Sequence, residues 1–202
     1  MSDTLKQIFL EAKDCRFCYG ATKINVPMYD PKNTSGSAQV VFIGERPGRQ
    51  GAGKTNFISF DNDDPSANFF KECFLLTNLN RKNIFITNSC LCYPDCGEYK
   101  DTPPITKEIR NCQYWLNRQL KITNPTLIVT LGANALKAIK SYFPKSKQLN
   151  EFKLSRDIGK IVTDIFPFIY PLFHTSRLGR ANRGEELQKK DWLRIPEILK
   201  SN

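Results

Sequence analysis

The chain has 202 residues, 40% of them hydrophobic, with 30 Lys and Arg against 20 Asp and Glu and a formal net charge of +10. That length and composition predict one domain over residues 1–202 around one core, and no apolar run approaches the ~20 residues that span a bilayer, so a membrane partner is excluded from the expectations. The basic balance favours a polyanionic partner over a basic one.

Thr4 to Lys13 reads as an amphipathic helix. It is followed by Cys15-Arg-Phe-Cys18, a close thiol pair with distant partners in Cys92 and Cys112. A close pair plus two distant thiols is what a buried metal centre requires, and their convergence would tie the two halves of the chain together. The N-terminus Met1-Ser-Asp-Thr-Leu-Lys lacks the apolar core of a signal peptide, so an intracellular setting, cytoplasmic or nucleoid-associated, is expected. In that reduced environment cysteines lean towards metal ligation rather than disulfides. Cys73, within an apolar helical stretch, reads instead as a small buried hydrophobe.

Residues 39–44 form a short buried strand ending at Gly44, and Ser66 to Asn78 a helix with Pro65 close before it. Residues 84–88 are a second strand, Thr106 to Leu120 a third helix, and 126–132 a third strand running directly into a helix over Ala133 to Tyr142. Ser146 to Asp164 is read as holding a hairpin around Ile158-Gly159-Lys160. A last strand covers 169–173, and a closing helix over Glu185 to Leu199 is interrupted at Pro196. Strands alternating with helices build a parallel sheet covered on both faces, because parallel neighbours need crossover connections. The expected fold is α/β, a three-layer α/β/α sandwich around a central, mainly parallel four-stranded sheet.

Functional groups in such sheets gather at the carboxyl ends of the strands. There the chain has Gly44-Glu45-Arg46-Pro47-Gly48, Asn88, and His174, its only histidine. Further on, Arg177-Leu-Gly-Arg180-Ala-Asn-Arg183 interleaves three guanidinium groups with small and apolar residues, a pattern suited to a loop lying on phosphates. Gly48-Arg-Gln-Gly-Ala-Gly53-Lys54-Thr55 matches the phosphate-loop pattern letter for letter. That pattern works when a strand feeds the loop and a helix leaves it, and the acidic residues and Pro65 that follow argue against such a helix. A nucleotide hydrolase is therefore the least favoured reading.

Taken together, these segments resemble the uracil-DNA glycosylase superfamily, most of all its iron-sulfur branch, family 4. The resemblance rests on Cys15-x-x-Cys18, Gly44-Glu-Arg-Pro-Gly48, Ile86-Thr-Asn-Ser-Cys-Leu-Cys-Tyr-Pro94, Cys112-Gln-Tyr-Trp-Leu116, Leu127 to Ala135 and His174-Thr-Ser-Arg-Leu178, in that order. It implies a monofunctional enzyme that flips uracil, or another deaminated base, out of DNA and hydrolyses its bond to deoxyribose. No lyase step is expected. Asn88 then matches the amide that pairs with the uracil edge, offering a donor and an acceptor together. Phe60 or Phe57 would stack on the flipped ring, with Phe60 favoured. His174 matches the donor that stabilises charge developing on uracil O2, and Glu45 the group that orients water or offsets charge on the sugar. Gly44, Arg46 and Gly48 would complete the base-binding loop, and Leu178 would fill the vacated stack. Ser176, Arg177, Arg180 and Arg183 would contact the DNA around it.

Arg46 departs from the family pattern, standing where other branches carry Asp or Asn and family 4 usually a small residue. A cation is repulsive beside a developing sugar cation but helpful facing base oxygens or phosphate. This residue motivates the alternative of a catalytically weak DNA-binding member. The four thiols Cys15, Cys18, Cys92 and Cys112 would hold a 4Fe-4S cluster, with zinc as the rival, remote from the base and structural in role. Cys96 is the alternative to Cys92 on the spacing to Cys112, and Cys90 shares a face with Cys92 if the segment after Asn88 stays extended.

Overall fold

A computed structural model describes residues 4–95 and 101–201. Its elements run in chain order as α1 (Leu5–Ala12), β1 (Ile24–Asn25), β2 (Met28–Tyr29), β3 (Val40–Gly44), α2 (Ala52–Thr55), β4 (Phe57–Ile58), α3 (Pro65–Leu76), β5 (Ile84–Asn88), β6 (Tyr93–Pro94) and α4 (Thr106–Thr123). They continue with β7 (Leu127–Leu131), α5 (Ala133–Tyr142), α6 (Lys147–Glu151), α7 (Leu154–Asp157), β8 (Phe168–Leu172), α8 (Arg177–Asn182), α9 (Glu185–Leu193) and α10 (Ile195–Lys200).

The central sheet has the order β5-β3-β7-β8 with every pairing parallel. Strands β3, β5 and β7 are buried along their whole length, as continuous apolar runs in a sheet covered on both faces should be. On one face Phe42 of β3 stacks on Trp192 of α9 at 5.2 Å and meets Phe70 and Phe74 of α3 edge-on. On the other, Thr87 of β5 donates to Gln119 of α4 at 2.6 Å. Side chains alternate across a strand, so Asn88 faces the α3 side while its neighbour Thr87 faces α4. The three-layer α/β arrangement expected from the sequence is the one observed.

Local chemistry sets the helix ends. Asp64 caps α3 by accepting from the N–H groups of Ser66 and Ala67, with Pro65 at the first helical position, where its missing donor costs nothing. The break between α9 and α10 falls at Arg194, just before Ile195-Pro196.

Two expectations are corrected. The region around Ile158-Gly159-Lys160 is no hairpin: Ser146 caps α6 by accepting from Leu149 N–H, α7 follows, and Val162 makes a single antiparallel bridge to Ile169. Arg177–Asn182 is a helix rather than a loop, because Ser176 Oγ caps it by accepting from Gly179 N–H. After Thr55 the chain enters β4, and α3 begins only at Pro65, so no helix leaves the Gly48–Thr55 segment as a phosphate loop needs.

Candidate active site and cysteine cluster

Two recesses open at the carboxyl ends of the central strands. The first, about 350 Å³, is lined by Gly44, Phe60, Phe70, Asn88, Leu131 and His174 among others. The second, about 530 Å³, is lined by Glu45, Asn134, Ser176, Leu178 and again His174. Arg46, Pro47, Gly48 and Asp101 belong to both walls. Asn88 and Glu45 line adjoining recesses rather than one. His174 stands on the wall between them.

Asn88 is 8% exposed at the end of β5, and among the described residues its carboxamide makes no hydrogen bond. Gly44 pairs with it across the sheet, and a Cβ there would lie 2.5 Å from Asn88 Oδ1. Only glycine leaves the amide its place. Gly132, at φ +90°, turns the chain from β7 into α5 in one step and brings it against the His174 Cβ.

His174 Nδ1 accepts from Ser176 N–H at 3.0 Å. The neutral ring therefore carries its proton on Nε2. Burial pushes the imidazole below its ordinary value near 6.5, against the opposing charges of Glu45 and Asp64. At neutral pH the group is an uncharged donor.

Glu45 is held at both ends. Its backbone carbonyl accepts from Ser89 Oγ at 2.6 Å and Cys90 N–H at 3.0 Å, while its Oε2 accepts from Asn134 Nδ2 at 2.7 Å. The sequence reading missed Ser89 and Asn134. Asn134 could have been found from topology, since it lies two residues beyond the glycine that ends β7, on the same rim.

Phe60 lines the first recess and packs parallel to Phe70 at 5.2 Å, with the Arg81 guanidinium 4.2 Å from its ring centre. Arg81 is itself clamped by Asp30 and Asp61. Phe57 is exposed in β4 and lines neither recess, so the geometry brings Phe60 and not Phe57 to the site.

Arg46 has protein partners of its own. Its side chain is 7% exposed, and its guanidinium bonds Glu108 at 2.9 Å, the Tyr19 hydroxyl at 3.1 Å and the Thr102 carbonyl at 3.3 Å. Tyr19 also donates to Glu108. Burial raises the Glu108 carboxyl, but hydrogen bonds from Tyr19, Ile105 N–H and Arg46 outweigh it and leave the group below its ordinary value. Arg46 thus pairs with a carboxylate while lining both recesses.

The basic segment divides in the same way. Arg183 grips Asp191 through two hydrogen bonds of 3.0 and 2.8 Å, and Arg180 bonds the Pro65 carbonyl and Glu185 while lying over Phe69. Both guanidinium groups tie α8 to the rest of the fold. Arg177 is exposed, and Leu178 is 74% exposed at the edge of the second recess.

Cys15, Cys18, Cys92 and Cys112 wall one narrow cavity with Tyr19, Asn111 and Trp115. Burial pushes the Cys92 thiol up, and the nearby charges of Cys112, Cys15 and Cys18 push it the same way. Asn111 Nδ2 lies 3.4 Å from Cys18 Sγ. Among the described residues, no group of three Cys, His, Asp or Glu side chains is arranged to hold a single metal ion. Cys90 hydrogen-bonds Cys112 but does not line the cavity. Cys73 is buried in α3 with its thiol pushed up to about 12 by desolvation, as a packing residue should be. Cys96 lies outside the described residues. Among the described residues no helix is long and apolar enough to cross a membrane.

Comparison with known proteins adds three findings. A family model described as the uracil DNA glycosylase superfamily matches residues 31–195. A type-4 uracil-DNA glycosylase of Archaeoglobus fulgidus is 30% identical over 161 residues, covering 79% of this chain and 73% of its own, and one from Saccharolobus solfataricus is 26% identical over 214 aligned residues, covering 98% and 88%. The crystal structure of Pedobacter heparinus SMUG2 superposes with a TM-score of 0.56 at 14% identity, over 98% of this chain and 99% of that one, a likeness of fold.

Proposed function

The chain belongs to the uracil DNA glycosylase superfamily, and from that premise we propose that it hydrolyses the N-glycosidic bond of uracil, and of other deaminated bases, in DNA. One observation carries the reading. His174 stands between a recess holding a carboxamide unpartnered among the described residues and a recess holding a carboxylate, where the bond joining a flipped base to its sugar would lie. In this reading Asn88 pairs with the base edge and Phe60, backed by Phe70 and Arg81, walls the recess that receives it. The His174 Nε2–H points at the oxygen on which charge builds as the bond breaks, so it stabilises a charge absent from the ground state. Glu45, on the sugar side, orients the water with its carboxylate. Leu178 fills the gap left in the stack, an apolar group for an apolar space, and Arg177 meets the backbone. Pairing of Arg46 with Glu108 supports this against the alternative of a DNA-binding member without base release, since the charge that motivated that alternative is neutralised.

We assign Cys15, Cys18, Cys92 and Cys112 to a 4Fe-4S cluster, the donor set of four thiols around one cavity being the number and kind such a cluster takes. When bound it would cross-link the N-terminal segment, the loop after β5 and α4. Zinc on the same thiolates is the rival.

The test is an oligonucleotide with one uracil, incubated with protein and then with hot alkali. Scission at the uracil is expected in single and double strands, with Glu45→Gln far slower. No scission in either substrate would overturn the proposal. A second expectation concerns the base recess: Gly44→Ala drives a methyl group into the Asn88 carboxamide, so KM rises by about tenfold or more and kcat falls with it. Unchanged steady-state constants would show that Asn88 does not read the base.

A further inference from the structure

We infer that Asn134 is the positioning residue for the Glu45 carboxylate, an inference that rests on the glycosylase reading above. The backbone of Glu45 is fixed by Ser89 and Cys90, yet those bonds leave its side-chain torsions free. The bond from Asn134 Nδ2 to Oε2, at 2.7 Å, is the one side-chain hydrogen bond that Glu45 makes among the described residues. It is short, as a bond to an ionised acceptor should be. Oε1 is left to meet water in the second recess.

A carboxamide suits this task on chemical grounds. Its N–H orients the carboxylate without adding a charge or a titratable proton of its own beside the developing sugar cation. A lysine there would neutralise the carboxylate, and an acid would compete for its proton. The carrier is rigid: Asn134 sits in the first turn of α5, fixed two residues after the Gly132 turn that ends β7. The charged or titratable groups facing Glu45 around the recess are His174 from the end of β8, Asp101 from the segment before α4, and Arg46, which is paired with Glu108. Elements α5, α7 and α8 contribute Asn134, Leu154, Leu178 and Asn182, none of which titrates.

The experiment compares full-length wild type, Asn134→Ala and Asn134→Asp on the uracil oligonucleotide across pH, with thermal melting of each protein. Asn134→Ala is expected to lower kcat by about ten- to a hundredfold with KM within about twofold, the loss of a held geometry. Asn134→Asp keeps the shape but sets two carboxylates together, so the acid limb of the kcat profile moves to higher pH. A residue that only supports the fold would lower the melting temperature and leave that limb in place. Wild-type kcat in Asn134→Ala, or an unmoved acid limb in a folded Asn134→Asp, overturns the inference. If Glu45→Gln itself turns over at the wild-type rate, the glycosylase assignment of Glu45 fails instead, and the two failures are distinct.

Discussion

Replacing His174 with alanine is expected to lower kcat by about 10²–10³-fold while KM stays within a few-fold, the effect of removing one donor aimed at a developing oxyanion. The donor is defined by structure: Ser176 N–H occupies Nδ1, leaving the proton on Nε2, and burial holds the ring neutral at pH 7. Two pH results follow. Between about pH 7 and 8 the rate should show no titration of His174, because its folded value lies below the ordinary 6.5. Stability should behave differently. The unfolded chain binds the proton first as pH falls through about 6.5, so stability is lost from there down to the folded value and then levels. Urea unfolding at several pH values measures this, and in His174→Ala that part of the pH dependence should vanish. A rate profile centred on a group titrating near 7 that disappears in the alanine variant would contradict the neutral donor.

The second large effect concerns the cysteines. Cys112→Ser is expected to abolish visible colour in the purified protein and to lower the melting temperature by roughly 10 °C. The magnitude comes from loop closure: joining Cys18 to Cys92 shuts a loop of roughly 70 residues, worth on the order of 4 kcal/mol in chain entropy. Cys73→Ser, buried in α3 away from the cavity, should keep the colour. Iron analysis with absorption spectra decides between the cluster and zinc, which has no colour of its own. Retention of colour in Cys112→Ser would remove that residue from the ligand set.

How much of this could be seen in the amino-acid order depended on the length over which a signal accumulates. Strand β5 and helix α5 match their expected limits residue for residue, because a buried apolar run and a glycine-to-helix junction are local patterns. Helix α8 was read as a loop: six residues are too few for periodicity, and its start is set by one serine side chain. Strands of two residues, such as β1 and β6, carry no pattern at all. The rim positions of Asn88, Glu45 and His174 followed from topology, since strand ends must meet at one edge. Their division between two recesses did not, because it depends on which way each residue turns once the strand has ended. The partners of Arg46 and Arg183 were hidden for another reason. Glu108 is 62 positions from Arg46, and Asp191 meets Arg183 only because α8 and α9 fold back on one another, so the local pattern left Arg183 open to phosphate and the departure from the family pattern left Arg46 open to base oxygens or phosphate.

The Arg46–Glu108 pair has a consequence for how this protein can change over generations. Both charges are nearly enclosed, and deleting either partner leaves the other's charge buried without its counter-ion, at about 3–5 kcal/mol. Neither position can drift alone. A lineage that acquires a small residue at 46 must lose its acid at 108 in nearly the same step, and Tyr19 must find a new acceptor, so these three sites are expected to vary as a set while the surface around them diverges freely.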